Sequence, residues 1–296
     1  MNFFDDFREI VINKLKSIGA GVNPKNVSNT NKLFLQYLQV LDKLFVPHQK
    51  LDVLFSQELM QKMVSFSKGT QNAIKDIKRR LEEGINILGY FSKDVCKSGV
   101  VDMLVRNWNI YHAHVDMPWN EAQKHVKRSN NLLFFTHKGC KVYFLDILPH
   151  PKGDEWPTKH FLEIIYDNWN DLLNIAPCVT SVKPSLSDKE LYLARKRGVY
   201  VMVPVRDCVV FPPNLGIASS RDNNLAVRKL GHYMKNLKYW QKWLTEHENE
   251  LLNELKVQTN KKSINLQWSL VDFDDKDLWI YEKQYDIHTN LPLTHL

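Results

Sequence analysis

The sequence predicts an α+β fold, a helical N-terminal part followed by a mainly antiparallel sheet with packed helices. Three observations carry that prediction. Apolar residues recur at helical spacing through most of residues 1–88. From Asn131 onward, apolar runs come in pairs joined by short turns, the pattern of hairpins. These pairs outnumber strand–helix–strand units, which argues against a doubly wound sheet.

The elements follow in order. Phe3, Phe4, Phe7, Ile10, Val11, Leu15 and Ile18 mark a first helix within residues 1–20. Gly19–Asn31 is rich in Gly, Asn and Ser and reads as a loop. Leu33–Phe45 is a second helix that ends before Pro47. Leu51–Phe55 reads as a short strand, and Ser56 as the cap of the segment after it. Asn72–Leu88 is an amphipathic helix with Ile74, Ile77, Leu81 and Ile85 on one face. A helix over Val100–Trp108 leads into "RNWNIYHAHVD".

The stretch "NLLFFTHKGCKVYFLDIL" is a hairpin turning at Gly139. After the loop "PHPKGDEWP", Thr158 is placed to cap a helix over Lys159–Asn174, which Pro177 stops. Ser187 and Glu190 form a capping box, and Gly198 supplies a left-handed stop. "VYVMVPVRDCVVFPP" is a second hairpin, with Pro204 at an edge or bulge. One long helix is expected over about residues 223–256, then a terminal hairpin from "INLQWSLVDF" and "LWIYEKQYDI". A boundary near residue 95 divides a helical region, 1–95, from an α+β domain, 96–296.

Bulk properties narrow the class. The 296 residues, 44% hydrophobic, can build one large domain or two ordinary ones. A net charge of +7 allows an RNA, DNA or acidic protein partner. The four cysteines stand far apart without a C-x-x-C pair, so neither a zinc knuckle nor a disulfide framework is expected. The N-terminus lacks the pattern of a signal peptide, and no apolar run approaches the ~18 residues of a membrane span. The expectation is a cytoplasmic protein in a reducing compartment, with no membrane partner.

Chemistry-bearing side chains concentrate in one region. Five of the 11 histidines lie between His112 and His150, so the search for a site starts there. Cleaving RNA without a metal needs a base for the 2′-hydroxyl, an acid for the leaving 5′-oxygen and a cation for the phosphorane. His112 and His114 are the candidate base and acid. Arg106 or Arg128 is the candidate cation, and His150 is held in reserve. Lys127, Ser129 and Tyr111 are candidate substrate contacts, Tyr111 by stacking on a base. No cofactor is required. An alternative use of His112 and His114, alternate residues on one strand face, is as metal ligands completed by Asp116 or His150. A second candidate is the loop "PPNLGIASSRDN", 212–223, where Gly216, Ser219 and Ser220 precede a helix that could receive phosphate. Helix capping by Ser220 or Asp222 explains the same residues.

Two resemblances bear on this region. The stretches "YHAHVD", "KRSNNLLFF" and "KVYFLDILPH", within residues 106–150, resemble the RelE/ParE-type ribonuclease toxins. That resemblance implies a compact sheet that binds RNA, with an antitoxin or other protein as partner. "RNWNIYH", Arg106 to His112, resembles the signature of the HEPN ribonucleases. That one implies metal-free RNA cleavage at a site shared across a homodimer. The combined expectation is a metal-independent endoribonuclease of the toxin or phage-defence type. The alternative is a non-enzymatic module that binds nucleic acid or protein. The two separate on whether His112, His114, Arg128 and His150 meet in one cleft.

Overall fold

Side chains alternate across a strand, so a strand apolar on both sides must be covered twice. That requirement organises the part of the chain that carries the candidate site. The computed structural model describes all residues except 46, 48, 98–101, 128, 151–155, 180, 184, 200, 214–217, 219–221 and 295–296.

The chain opens with helices α1 (Phe3–Ser17) and α2 (Thr30–Lys43), then strand β1 (Asp52–Phe55). Helices α3 (Gln57–Lys62) and α4 (Lys68–Glu83) follow, each capped by a serine hydroxyl, Ser56 and Ser67. Gly84, at φ 74°, closes α4 in the left-handed conformation that glycine adopts without strain. Next come α5 (Met103–Trp108), β2 (Tyr111–His114) and the hairpin β3 (Asn131–Lys138)–β4 (Lys141–Pro149). Helices α6 (Thr158–Trp169) and α7 (Asp188–Lys196) precede a small hairpin, β5 (Val203–Val205) and β6 (Cys208–Val210). The chain ends with α8 (Asn224–Glu246), α9 (Glu248–Thr259), β7 (Trp268–Phe273), β8 (Asp277–Glu282) and β9 (Ile287–Pro292). The α+β class and the helical start are observed.

Several expected elements are redrawn. Pro157, not Thr158, stands at the N-cap of α6 and no side chain caps there. Thr158 is the first helical residue. The long helix is interrupted at His247, whose φ of −102° and ψ of 12° leave α geometry. The terminal hairpin gains a third strand, β9, so β8 is central. The capping box at Ser187 and the left-handed Gly198, at φ 81°, are as expected.

The chain divides into two compact units, 1–38 with 225–296 and 39–224. The division expected near residue 95 is not where the chain separates. Ile74, Ile77 and Leu81 before that point share one core with Leu133, Phe135 and Phe144 after it.

In the unit 39–224, a four-stranded sheet runs β1-β4-β3-β2. Its pairings are antiparallel except β1–β4, which is parallel. Leu133, Phe135, Val142 and Phe144 face α3 and α4, while Leu132, Phe134, Tyr143 and Leu145 face α5, α6, α7 and the β5–β6 hairpin. Both faces are therefore covered, which explains the unbroken apolar run in β3. Strand β2 is an edge, and it carries His112 and His114.

In the other unit, α1 supplies Phe7, α2 Phe34, α8 Tyr233 and β7 Phe273. These rings pack with centroids 4.7 to 6.0 Å apart. Glu282 is fully buried there, and its carboxylate accepts from Gln267 N and Tyr285 N at 2.6 Å each. Among the described residues no helix is long and apolar enough to cross a membrane.

Candidate functional site

One carboxylate sets the local geometry. Asp102 caps α5, its Oδ1 accepting from Leu104 N at 2.9 Å and Val105 N at 3.1 Å. Its other oxygen lies 3.4 Å from Nδ1 of His112. The six-residue helix ends at Asn109, left-handed at φ 56°, a conformation asparagine tolerates. The hydroxyl of Thr136 donates to Asn109 O at 2.9 Å and ties that turn to β3. Two residues later β2 begins, with His112 paired to Phe134. A helix cap, a left-handed turn and a strand register thus combine to bring His112 back to the carboxylate that starts the helix.

His112 is held among aromatic rings. Its ring centroid is 4.9 Å from that of Trp156 and 5.9 Å from that of Phe134. Trp156 also meets His150, with centroids 5.8 Å apart. His150 is fixed from its backbone, where N donates to Asn130 O at 2.8 Å. Burial pushes the His112 pKa below the ordinary 6.5, Asp102 opposes that shift and the nearby His150 adds to it. The His112 side chain is 17% exposed. The arrangement is an imidazole beside a carboxylate, a second imidazole, and an indole that both rings approach. Such a set can take a proton, return one and stack on a planar group.

The other expected site residues separate from this pair. His114 is 4% exposed. Ser129 N donates to its Nδ1 at 3.2 Å, and the Ser129 hydroxyl lies 3.2 Å from the same atom. That hydroxyl also donates to Asn131 O at 2.6 Å and accepts from Val115 N at 3.2 Å. His114 and Ser129 therefore brace the end of the β2–β3 pair, which corrects their assignment to acid–base work and substrate contact. Tyr111 is corrected as well. It packs into the α3–α4 face, with Phe135 at 5.5 Å and Phe45 at 5.4 Å, opposite the side of His112. Lys127 is exposed. Arg128 lies outside the described residues, so its convergence with the histidines has no structural description. Asp116, the further metal-ligand candidate, accepts from Asn130 N and Asn131 Nδ2, both at 3.2 Å. Among the described residues no three His, Cys, Asp or Glu side chains gather as a cation site.

Arg106 lines a cavity of about 30 Å³ with Gln39, Asp42, Lys43, Asp102 and Asn223, room for one or two waters. Burial lowers its pKa, against the charges of Asp222 and Asp42. Asp102 lines this cavity and also stands beside His112. Most of the 212–223 loop, including Gly216, Ser219 and Ser220, lies outside the described residues. Asp222 Oδ1 accepts from Gln39 Nε2 at 2.6 Å.

Sequence reasoning missed Asp102, Trp156 and a separate ion cluster. In that cluster Asp146 is fully buried at the β3–β4 bulge. Lys62 Nζ reaches its two oxygens at 2.9 and 2.7 Å, His160 Nε2 lies at 2.8 Å, and Ile147 N donates at 2.8 Å. Burial raises the Asp146 pKa, but the bonds from His160 and Lys62 outweigh it and leave it below the ordinary 3.8. The register His112–Phe134–Asp146 spans two strand spacings, so Asp146 stands roughly 10 Å from His112. It clamps α3 and α6 to β4 and is distinct from the His112 site. A lone aspartate inside "VYFLDIL" was its signal, because a charge in a buried strand requires partners. Asp102 was legible as a cap two residues before Leu104.

Comparison with family models, with curated proteins and with solved structures returns no match to this chain.

Proposed function

We propose that the protein is a metal-independent endoribonuclease of the toxin or phage-defence type, with His112 as base and His150 as acid. The observation that carries this reading is that both histidine rings lie within 6 Å of Trp156, His112 also beside Asp102 and close enough to His150 to feel its charge. The resemblances to RelE/ParE-type and HEPN ribonucleases point to the same substrate class. In this reading the partner is cytoplasmic RNA, and an antitoxin-like protein or a second copy of the chain controls access.

The step needs no co-reactant. His112, neutral because burial depresses its pKa, turns Nδ1 towards Asp102 and leaves Nε2 for the substrate. Nε2 takes the 2′-hydroxyl proton. The 2′-oxygen attacks the adjacent phosphorus, and the bond from phosphorus to the 5′-oxygen breaks. Protonated His150 gives its proton to that oxygen. The products are a 2′,3′-cyclic phosphate and a free 5′-hydroxyl. Asp102 steadies the imidazolium that forms on His112. Trp156 offers a stacking surface for a base. Arg106, whose cavity has room for one or two waters and not for a phosphate, acts on the scissile phosphate only through its charge.

Incubation with single-stranded RNA in the presence of chelator tests this. Cleavage with cyclic-phosphate ends, lost in His112→Ala and His150→Ala and retained in His114→Gln, is the expected result. RNA that is bound but left intact points instead to a non-enzymatic binding module.

A further inference from the structure

Helix α7 presents a charge that its surroundings leave unbalanced. Arg195, in the last turn, is only 5% exposed. Its Nε and Nη2 are buried and meet no hydrogen-bond partner among the described residues. Trp108 covers one face of the guanidinium, with the ring centroid at 5.0 Å. Burial draws the Arg195 pKa down to about 10, and Asp188 offsets that only in part. The Asp188 carboxylate is engaged elsewhere, accepting from Lys159 N at 3.1 Å. A buried guanidinium ordinarily sits on a carboxylate or phosphate that takes two of its donors. Arg195 instead lines a small cleft.

The cleft is lined by Met103, Leu104, Trp156, Thr158, Tyr192 and Arg195. Its volume of about 10 Å³ admits roughly one oxygen-sized group at the guanidinium. Trp156 is the wall it shares with the His112–His150 pair. A strand lying against Trp156 would therefore present one phosphate to the histidines and a neighbouring one to Arg195. One phosphate oxygen entering the cleft would take a charge-assisted bond from the guanidinium, which an apolar or neutral ligand cannot supply.

We propose that Arg195 anchors a phosphate subsite beside Trp156, which takes the phosphate next to the one cleaved at His112 and His150. The identity of the strand as RNA rests on the endoribonuclease reading. The anion site rests on Arg195 and its cleft alone.

The test uses a short single-stranded RNA with 2′-O-methyl sugars, which binds but cannot be cleaved, followed by fluorescence anisotropy across a salt series. Arg195→Met is expected to bind about tenfold more weakly, with the salt slope reduced by about one. Arg195→Lys keeps the charge without the fork and is expected to fall between the two. The ligand-free Arg195→Met protein is expected to melt at a higher temperature than wild type, because an unbalanced buried charge has been removed. A merely structural arginine predicts the opposite change. Wild-type affinity and salt slope in Arg195→Met, or failure of that variant to fold, overturns the proposal. Inorganic phosphate competing with the RNA in wild type but not in Arg195→Met assigns the site to phosphate of either source. Dependence on Arg195 without such competition assigns it to phosphate within a strand. Binding through Arg195 with no cleavage of unmodified RNA leaves the subsite standing and removes the endoribonuclease reading. Unmodified RNA cleaved equally by both proteins, with equal KM, does the reverse.

Discussion

At the scale of single residues, Asp102 has two jobs that substitution can separate. Asparagine keeps the cap, since it accepts from the same backbone N–H groups. It removes the charge that raises the His112 pKa. Asp102→Asn is therefore expected to fold normally and to shift the acid limb of the pH–rate profile to lower pH. Its rate at neutral pH is expected to fall by roughly 10- to 100-fold, within the range for general acid–base groups. A profile that keeps its position means that the carboxylate does not tune His112. The histidine pair itself was only half legible. His112 and His114 stand in the same sequence pattern on the same strand face, and their difference lies in what comes from elsewhere. Ser129 returns to bind His114, whereas Trp156 and His150 arrive beside His112. Spacing along one strand carries no information about such partners.

At the scale of elements, caps and turns with their own residue signature were legible, and the pairing of distant strands was not. The capping box at Ser187, the stop at Gly198 and the turn at Gly139 depend on neighbours in sequence. The parallel pairing of β1 with β4 depends on contacts far along the chain, whereas β9 pairs with the adjacent β8 and His247 bonds back to Trp243, local features that the apolar pattern does not mark. The same distinction governs stability. Ser187→Ala removes the cap of the helix that carries Arg195 and is expected to cost about 1 kcal/mol in urea unfolding. The Asp146 clamp behaves asymmetrically. Asp146→Asn leaves Lys62 and His160, whose side chains are 43% and 40% exposed and can be solvated, so the loss is about 1–3 kcal/mol. Lys62→Met with His160→Phe strands a fully buried carboxylate and is expected to cost more, about 3–5 kcal/mol. Equal losses in the two proteins would show that the clamp does not hold α3 and α6 through its charge.

At the scale of the whole molecule, buried imidazoles set the response to acid. Burial holds the pKa of both His112 and His137 below the ordinary 6.5. Unfolding frees these rings to take up protons, so their contribution is full above about pH 6.5 and is lost as pH falls towards their folded values. Asp146, lowered from 3.8, adds stability that is lost only as pH falls through the carboxylate range. Unfolding followed across pH is expected to show stability declining first below about pH 6.5 and again below about 3.8. His137→Phe is expected to reduce the first decline, and an unchanged curve would remove His137 from this account. The organisation of the molecule was also misjudged from sequence, because no linker composition marks where its units divide. The second unit is continuous in sequence, and the first is assembled from both ends of the chain.

The central claim is that His112 and His150 act together on RNA. Single-turnover cleavage by wild type, His112→Ala, His150→Ala and the double variant tests it most directly. Groups that work as one unit lose activity non-additively. The account predicts a loss of roughly 10²–10⁴-fold in each single variant and little further loss in the double. RNA left intact by the wild-type protein, or a His150→Ala variant that cleaves at the wild-type rate, would contradict it.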